Sequence, residues 1–339
     1  MQPFQFSRTG DLRSAYSAHG AAEASDTAQS RSQYLAGGTT LLDLMKLGVM
    51  RPDRVVDINE LERTNAGRIE FGGNRLRLGA LTRMSTVADH PDVRRDFPVI
   101  AQSLQLAASA QIRNMASLGG NVLQRTRCTY FRDTSYSNCN KRNPGSGCAA
   151  LDGINRPHAV LGTSERCIAT YPGDFAQALI ALDAHVEVAG SNGAREFPFA
   201  KLHRQPGQTP HLETTLAPDE LITAFRIARA PFTRRSLFLK VRDRQSYEFA
   251  LASAAVALDL DGDTVKQVRI ALGGVATVPW RAHETEASLI NQRLDETATR
   301  RAADLAFADA RPREHNAFKV ELGKRTLNRA LRQAGVMEI

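Results

Sequence analysis

All four cysteines of this 339-residue chain fall between positions 128 and 167, and the set consists of Cys128, Cys139, Cys148 and Cys167. The residues between them are poor in aliphatic side chains and rich in Asn, Ser, Gly, Arg and Lys, as in CTYFRDTSYSNCNKRNPGSGC. Such a segment has too little apolar bulk to bury four thiols in a core of its own. The clustering therefore indicates a shared ligand or a bond between the cysteines, and it is the strongest constraint that the sequence places on the fold.

The spacing of the cysteines leaves several interpretations open. Structural zinc usually draws close pairs of cysteines, and no two of these cysteines form such a pair. Disulfides require an oxidising compartment. An iron–sulfur cluster needs four thiolates that converge from loops, and nearby Gly, Asn and Ser residues can donate hydrogen bonds to its sulfur atoms. From spacing alone a cluster is favoured, ahead of zinc and of inert thiols.

Length and composition bound the class of protein. A chain of 339 residues is longer than one hydrophobic core usually covers, which predicts two or three domains. The hydrophobic share of 42% and the charged share of 24% describe an ordinary soluble globular protein. We expect no membrane span, because no apolar run approaches the required length. The N-terminal stretch lacks the apolar part of a signal peptide, so we expect the cytoplasm, or the periplasm if a signal-bearing partner carries the chain there.

The net charge of +8 speaks weakly to function. A basic surface that keeps the protein soluble explains it, and so does a docking face for an acidic protein. The arginines are scattered and no aromatic–basic repeat occurs, so we expect no nucleic-acid partner.

The pattern of apolar residues predicts an α+β fold with antiparallel sheets covered by helices. Residues 34–58 read as strand, glycine turn, helix and strand, and a short helix is predicted within residues 11–24. Helices are predicted to begin with Ser85 as N-cap, at Pro98 and near Asp174. A change of texture near Pro231 predicts a separate C-terminal domain. Hairpin turns are predicted at residues 72–74, 191–193 and 261–263.

Two glycine loops are candidates for a phosphate site. In LAGGTTLL (residues 35–42), Gly37 and Gly38 permit a close approach of backbone N–H groups, and two threonines follow at the start of a helix. The stretch SLGGN (residues 117–121) repeats this combination of paired glycines with polar side chains. Either loop alone is more simply a tight turn with a capping residue. Two such loops in one chain suggest two walls around one pyrophosphate, which makes a nucleotide cofactor as strong an interpretation as the turn.

Other polar residues have simpler alternatives. Asp174 stands where a helix cap is expected, and Lys240 shares a predicted strand face with Arg242 and Arg244 that could be solvated. The histidines show no metal-ligand spacing. Because no Ser/His/Asp, Cys/His or paired-carboxylate set stands out, the chain does not look like a hydrolase.

These motifs together resemble the FAD-binding subunits of molybdenum hydroxylases of the xanthine dehydrogenase type. The first and second FAD loops of that family are similar to YLAGGTTLLDLMK and QIRNMASLGGNVLQ. The helix and strand that follow them in the family resemble FAQALIALDAHVEV. The small domain that closes over the flavin resembles KVRDRQSYEFALASAAVAL and IALGGVATVPWRA. The resemblance covers essentially residues 1–335.

The resemblance implies an α+β fold with a two-subdomain, vanillyl-alcohol-oxidase-like FAD-binding domain (residues 1–60 and 61–228) and a small α+β C-terminal flavoprotein domain (residues 229–339). Most members pass from the second loop to a short SP-x-SD-like passage, which the cysteine segment at about 125–170 replaces here. This insertion resembles that of periplasmic-type aldehyde oxidoreductases, whose FAD subunit also holds a [4Fe–4S] cluster. The flavoprotein subunit of 4-hydroxybenzoyl-CoA reductase has a cluster-bearing insertion too, but its cysteine placement fits less well.

The resemblance also implies cofactor roles for single residues. The FAD pyrophosphate would be bound by the first loop, which comprises Leu35, Ala36, Gly37, Gly38, Thr39, Thr40, Leu41 and Leu42. From the second loop it would be bound by Ser117, Gly120 and Asn121. Asp174 and Lys240 would lie near the ribityl chain or the isoalloxazine ring, and Ile168 would open a short segment close to the flavin. The [4Fe–4S] cluster would be held by Cys128, Cys139, Cys148 and Cys167. No catalytic residue is implied.

In function, the resemblance implies the electron-transfer flavoprotein subunit of a molybdenum-containing aldehyde oxidoreductase. A molybdenum-cofactor large subunit would oxidise the aldehyde to a carboxylic acid, and a [2Fe–2S] small subunit would pass electrons to this chain in a heterotrimer. FAD would hand them to an external acceptor, such as an acidic ferredoxin. The alternatives are the flavin subunit of a hydroxylase for a purine, an N-heterocycle or 4-hydroxybenzoyl-CoA, and a zinc-stabilised basic binding protein without a redox role.

Overall fold

The computed structural model describes residues 1–20 and 28–339. Within them the chain forms three β-sheets with helices packed against them, which confirms the α+β class. No helix in this described part is both long enough and apolar enough to cross a membrane.

A parallel sheet opens the chain. Its elements are, in order, β1 (Gln5–Arg8), α1 (Leu12–His19), β2 (Ser32–Leu35), α2 (Leu41–Lys46) and β3 (Arg54–Asp57). The strand order is β1-β3-β2, and both outer strands run parallel to β3. The expectation of antiparallel sheets is wrong here, because α2 carries the chain back across the sheet before β3 begins, as a parallel pair requires. The predicted helix within residues 11–24 occurs as α1, and residues 21–24 lie outside the described residues.

The middle of the chain contains an antiparallel sheet of order β4-β5-β8-β6-β7. Its strands are β4 (Ile69–Gly72), β5 (Arg75–Gly79), β6 (His185–Gly190), β7 (Gly193–Pro198) and β8 (Leu221–Ala228). The pairs β4–β5 and β6–β7 confirm the hairpins predicted at residues 72–74 and 191–193. Alternate side chains of β5, Leu76 and Leu78, are fully buried, so one face of this sheet carries the core.

Seven helices lie between β5 and β6 in the described part of the chain and lead toward the site. They are α3 (Met84–Asp89), α4 (Pro91–Asp96), α5 (Pro98–Gln105), α6 (Ala110–Met115), α7 (Leu118–Val122), α8 (Thr129–Arg132) and α9 (Phe175–Ala181). Helix α8 packs beside the cysteines, and the others lie around this sheet. Helix α5 begins at Pro98, as predicted. The predicted N-cap at Ser85 is wrong, because α3 begins at Met84. The Met84 N–H donates to the Ala116 carbonyl at 3.0 Å, so a tertiary contact satisfies a donor that a cap would otherwise serve.

A second antiparallel sheet, of order β12-β11-β10-β9, forms the C-terminal part. Its elements are β9 (Ser236–Val241), β10 (Ala252–Asp261), β11 (Thr264–Gly273), β12 (Trp280–Arg281), α10 (His283–Leu289), α11 (Glu296–Ala306) and α12 (Phe318–Gly335). The β10–β11 pair confirms the hairpin predicted at residues 261–263. Leu327 and Leu331 of α12 share a core with Val256 and Ile270 of the sheet. The exact domain boundaries at residues 60 and 228 stay predictions.

Candidate functional site

The first glycine loop joins β2 to α2 and lines a cleft. Leu35 ends β2, and α2 begins at Leu41. Gly38 has φ +72°, a left-handed conformation that glycine adopts without strain. Thr40 stands at the N-cap position, but its hydroxyl makes no capping hydrogen bond. The simple turn-and-cap interpretation therefore leaves this hydroxyl unexplained, and Thr39 and Thr40 both face the cleft.

Hydrogen bonds fix the conformation and the position of the second glycine loop. The Ser117 hydroxyl accepts the Gly120 N–H at 3.2 Å, so Ser117 is a capping residue of α7. The Gly119 N–H donates to the Ala80 carbonyl at 2.7 Å, which ties the loop to the residue that follows β5. These bonds fix the loop while Gly120 faces the cleft.

The two glycine loops come close to each other, as predicted. A Cβ placed on Gly37 would lie 2.0 Å from the Met115 carbonyl oxygen, just before the second loop. Only a glycine allows backbones to approach this closely. The loops thus form two walls of one cleft.

Two neighbouring cavities lie along this cleft. The smaller has a volume of about 230 Å³ and the larger about 420 Å³, and they share Thr39, Thr40 and Gly120. Ala36 and Leu41 line the smaller cavity, whereas Leu42 is exposed and packs its side chain against Gly38. An elongated ligand with a phosphate-bearing middle fits this arrangement, because the polar glycine loops lie where the cavities meet.

Asp174 and Lys240 stand together at the wall of the larger cavity. Lys240 Nζ lies 2.7 Å from Asp174 Oδ2 and also donates to the Leu106 carbonyl at 3.1 Å. The Lys240 side chain is 1% exposed, so the interpretation of this strand face as solvated is wrong for Lys240. Burial raises the pKa of Asp174, against the opposing effect of Lys240. Asp174 makes no helix-capping hydrogen bond.

Two side-chain oxygen atoms beside the larger cavity are free to accept a hydrogen bond. Asn121 Oδ1 and Asp174 Oδ1 are buried and make no hydrogen bond within the described chain. Buried polar groups are almost always paired, so these atoms are available to a bound polar molecule. Together with the glycine walls they fit the flavin half of FAD, whose polar ring and ribityl groups would meet them.

Sequence reasoning missed several residues that line the larger cavity. Asp43 of α2 accepts from Arg132 Nη1 at 2.9 Å and from Arg127 Nη1 at 3.2 Å. Burial acts to raise the pKa of Asp43, but the two guanidinium groups outweigh it and lower that pKa. Arg127 also lies over the Phe249 ring, at 4.7 Å from its centroid. The adjacency of Arg127 to Cys128 was the only sequence signal for this group.

The four cysteines meet in one buried group beside α2. They share a core with Leu44 and Met45, and Cys148 is its most exposed cysteine. Residues 139 and 148 face each other as an antiparallel bridge. All four are free thiols. In the described ranges, 1–20 and 28–339, no three His, Cys, Asp or Glu side chains are arranged to hold a metal ion.

The environment of the thiols opposes ionisation in most of them. Burial raises the pKa of Cys128 to about 12 and also raises that of Cys139. A hydrogen bond shared by Cys148 and Cys167 lowers the pKa of Cys148 and raises that of Cys167. A metal that binds here would displace protons, as thiolate ligation requires.

Around the cysteines, buried polar side chains hold the loops together by hydrogen bonds to backbone groups. The Arg142 guanidinium donates to the carbonyls of Tyr130 (2.9 Å), Phe131 (2.6 Å) and Tyr136. Asn140 accepts the N–H groups of Gly145 and Gly147 at 3.1 and 3.0 Å. These bonds explain how a segment so poor in aliphatic residues is folded at all.

The cysteine group is connected to the larger cavity by short segments. The Thr126 hydroxyl accepts the Cys128 N–H at 3.2 Å and donates to the Thr170 carbonyl at 2.9 Å. Ile168 is buried among the cysteines and does not line either described cavity. Pro172, four residues further on, does line the larger one.

Comparison with known proteins agrees with this geometry. Residues 2–230 match the FAD binding domain in molybdopterin dehydrogenase, and residues 238–334 match the CO dehydrogenase flavoprotein C-terminal domain. The chain is 46% identical over 304 residues to the aldehyde oxidoreductase FAD-binding subunit PaoB of Escherichia coli K12, covering 89% of this chain and 91% of that protein. It is 26% identical over 309 residues to the carbon monoxide dehydrogenase medium chain of Hydrogenophaga pseudoflava, covering 89% and 90%.

Solved structures show the same fold. The chain superposes with a TM-score of 0.75 on carbon monoxide dehydrogenase from Hydrogenophaga pseudoflava lacking the Mo-pyranopterin moiety, at 25% identity over 98% of this chain and 97% of the other. With reconstituted CO dehydrogenase from Oligotropha carboxidovorans the TM-score is 0.76 at 23% identity, covering 100% of each chain. The two matched domains account for nearly all of the sequence, and the chain therefore belongs to the FAD-binding subunits of the molybdopterin dehydrogenase family of oxidoreductases.

Proposed function

We propose that this chain is the electron-transfer flavoprotein subunit of a molybdenum-containing aldehyde oxidoreductase, and that it carries a [4Fe–4S] cluster beside its FAD. The cluster would be held by Cys128, Cys139, Cys148 and Cys167. The observation that carries the proposal is structural. Residues 126–128 and 167–174 link the cysteine group directly to the walls of the flavin cleft.

Several features of the cysteine group support a cluster. Four thiols share one buried site, and the Ala169 N–H donates to Cys167 Sγ at 3.4 Å. Backbone N–H groups aimed at sulfur are typical of iron–sulfur sites. In a [4Fe–4S] cluster each of the four thiolates binds a different iron atom. The four sulfur atoms therefore surround the cluster and need not lie within bonding distance of one common point. Bound there, the cluster would supply one-electron transfer next to the flavin.

The residues of the chain would position the cofactors and not take part in substrate chemistry. Gly37, Gly38 and Gly120 would admit the pyrophosphate, with Thr39 and Thr40 beside it. Asn121 and Asp174 would receive the polar groups of the flavin half, and Lys240 would keep the Asp174 carboxylate in place. Ile168 would pack the cysteine group against this region.

The substrate and partner assignments come from the relatives. An aldehyde is the substrate class named for the 46% identical Escherichia coli protein. Relatives described as medium chains point to a large and a small partner, which we assign as a molybdenum-cofactor subunit and a [2Fe–2S] subunit in a heterotrimer. The net charge of +8 supports an acidic external acceptor such as a ferredoxin. The location follows that of the partners, periplasmic if one of them is exported and cytoplasmic otherwise.

The decisive experiment is a cofactor analysis of anaerobically purified protein. Iron, acid-labile sulfide, zinc and FAD are measured in the wild type, in the four single Cys→Ser variants and in Ser137→Ala, a control in the same segment. We expect about four iron and four sulfide with one FAD in the wild type and in the control. Each cysteine variant loses iron and sulfide but keeps FAD, because the glycine loops are separate from the cysteines.

The other outcomes identify the alternatives. FAD without iron or sulfide, also after anaerobic reconstitution, rejects the cluster and leaves a flavin subunit. Zinc without flavin rejects the proposed function altogether. In the complex co-purified with its partner subunits, turnover of aldehydes is compared with that of a purine, an N-heterocycle and 4-hydroxybenzoyl-CoA, and preference for any of these last three overturns the aldehyde assignment.

A further inference from the structure

A buried histidine points at one of the cysteines. His158 Nε2 lies 3.1 Å from Cys128 Sγ, and the residue is 2% exposed. Its other ring nitrogen, Nδ1, is buried without a hydrogen-bond partner in the described chain. In a neutral imidazole the proton resides on the nitrogen that has an acceptor, so a thiolate at Cys128 places it on Nε2.

The backbone that carries His158 is fixed by the C-terminal part of the chain. Lys319 Nζ donates to the carbonyls of Pro157 (2.9 Å), His158 (3.2 Å) and Gly274 (2.6 Å). Asn316 Nδ2 donates to the Ala159 carbonyl at 3.1 Å. Bonds on both sides of residue 158 therefore fix the backbone from which the ring extends to Cys128. A side chain held this firmly is suited to impose one geometry on its neighbour.

The contact differs from the hydrogen bond at Cys167. Cys167 Sγ receives a backbone N–H, which only a proline at residue 169 would remove, whereas Cys128 receives a side-chain group. Cys128 is also the cysteine tied through the Thr126 hydroxyl to the segment that reaches the larger cavity. The histidine therefore acts on the sulfur nearest in sequence to the residues of the flavin cavity.

We propose that His158 is a positioning residue for the iron–sulfur cluster, and that its Nε2–H donates to the Cys128 sulfur and raises the reduction potential of the cluster. This inference rests on the proposed function, because it needs the cluster. Hydrogen bonds to ligand sulfur stabilise negative charge there, and the reduced cluster carries more of it. Removing the donor should make the cluster harder to reduce.

The test is an EPR-monitored redox titration of the full-length protein, purified anaerobically with its cofactors. The variants are His158→Leu, which removes the donor, and His158→Gln, whose amide keeps one. The matched control is His203→Phe, since His203 is a partly buried histidine whose Nε2 lies 2.9 Å from the Val122 carbonyl and not from a sulfur. We expect a more negative midpoint potential in His158→Leu, and wild-type values in His158→Gln and His203→Phe. Iron and FAD contents are measured in every sample.

Each outcome has a distinct meaning. An unchanged potential in His158→Leu with full iron content overturns the inference and leaves the cluster proposal intact. Loss of the cluster from His158→Leu but not from His158→Gln supports it, because retention then depends on the donor. Loss from both variants overturns it, since the shape of the ring and not its N–H would be required. A wild-type protein without iron and sulfide rejects the proposed function itself.

Discussion

Lys240 and Asp174 form a buried ion pair across the cleft wall, with Nζ 2.7 Å from Oδ2 and side-chain exposures of 1% and 4%. The pair joins β9 of the C-terminal sheet to the residue that precedes α9. The second carboxylate oxygen is left for a ligand. This contact therefore joins the C-terminal sheet to the FAD-binding part of the chain at the wall of the flavin site.

Removing one partner of this pair should destabilise the protein. Asp174→Asn leaves Lys240 buried without a counter-charge, and we expect a loss of about 3–5 kcal/mol in the free energy of unfolding together with weaker FAD retention. Lys240→Met should behave similarly, and the double variant should lose less than the sum of the two. Denaturant unfolding and FAD content measure these effects.

The control for this pair is an exposed one. Arg156 and Asp243 are paired at 2.8 Å but are about half exposed, so Asp243→Asn should change stability by less than about 1 kcal/mol. Strict additivity of Asp174→Asn and Lys240→Met would show that the pair is not coupled.

Gly37→Ala should reduce FAD binding without unfolding the protein. The added methyl would lie 2.0 Å from the Met115 carbonyl oxygen, so the two glycine loops must move apart. The matched control is Gly72→Ala, because a Cβ at Gly72 has no atom within 4 Å. We expect FAD to be lost on gel filtration from Gly37→Ala and kept by Gly72→Ala. Equal retention in both would mean that the close approach is not needed for binding.

Asp96 should make the free energy of unfolding depend on pH in the acid range. Its carboxylate accepts from Arg95 at 2.9 Å and from Arg229 at 2.5 Å, and the Arg95 guanidinium holds the pKa of Asp96 below its usual range. Below about pH 4 the Asp96 carboxylate binds a proton more readily in the unfolded chain than in the folded chain. The stabilisation by Asp96 is therefore present above that pH and is lost as the pH falls below it.

The measurement compares unfolding of the wild type and Asp96→Asn at several pH values. We expect Asp96→Asn to be less stable by about 2–3 kcal/mol at pH 7, and the difference to shrink as the pH falls below 4. Asp53→Asn is the control, since Asp53 is 59% exposed in its pair with Arg31. A gap between wild type and Asp96→Asn that stays constant down to pH 3 would contradict the assignment.

Lys319→Met should loosen the segment next to Cys128. The carbonyls of Pro157, His158 and Gly274 would each lose the Lys319 donor, and Gly274 is buried. We expect a stability loss of about 2–3 kcal/mol and, with the proposed cluster bound, faster loss of iron in air. Lys324→Met is the control on the same helix, because Lys324 pairs only with the exposed Asp304 among the contacts described. Unfolding and the rate of iron release distinguish the two. Equal iron release would show that Lys319 does not secure the cysteine segment.

Much of the fold could be predicted because its signals are local. The hairpins of the antiparallel sheets, the helix start at Pro98 and the glycine loop between β2 and α2 depend on turn residues and short apolar periods. Strand β1 was missed because Gln5–Arg8 is short and mostly exposed, and it is a strand only because β3 pairs with it. Ser85 was misplaced because the Ala116 carbonyl, far along the chain, receives the Met84 N–H.

The residues by themselves determined which chemistry this protein can support. The glycine pairs and the group of cysteines are visible in the sequence, since backbone freedom and thiol ligands depend on residue type. Only the tertiary structure decided which groups meet. It pairs Lys240 with Asp174, buries Ile168 beside the cysteines and away from the cavities, and aims His158 at Cys128. Such contacts join residues tens of positions apart, and their geometry follows from the packing of whole sheets and helices, which no local pattern encodes.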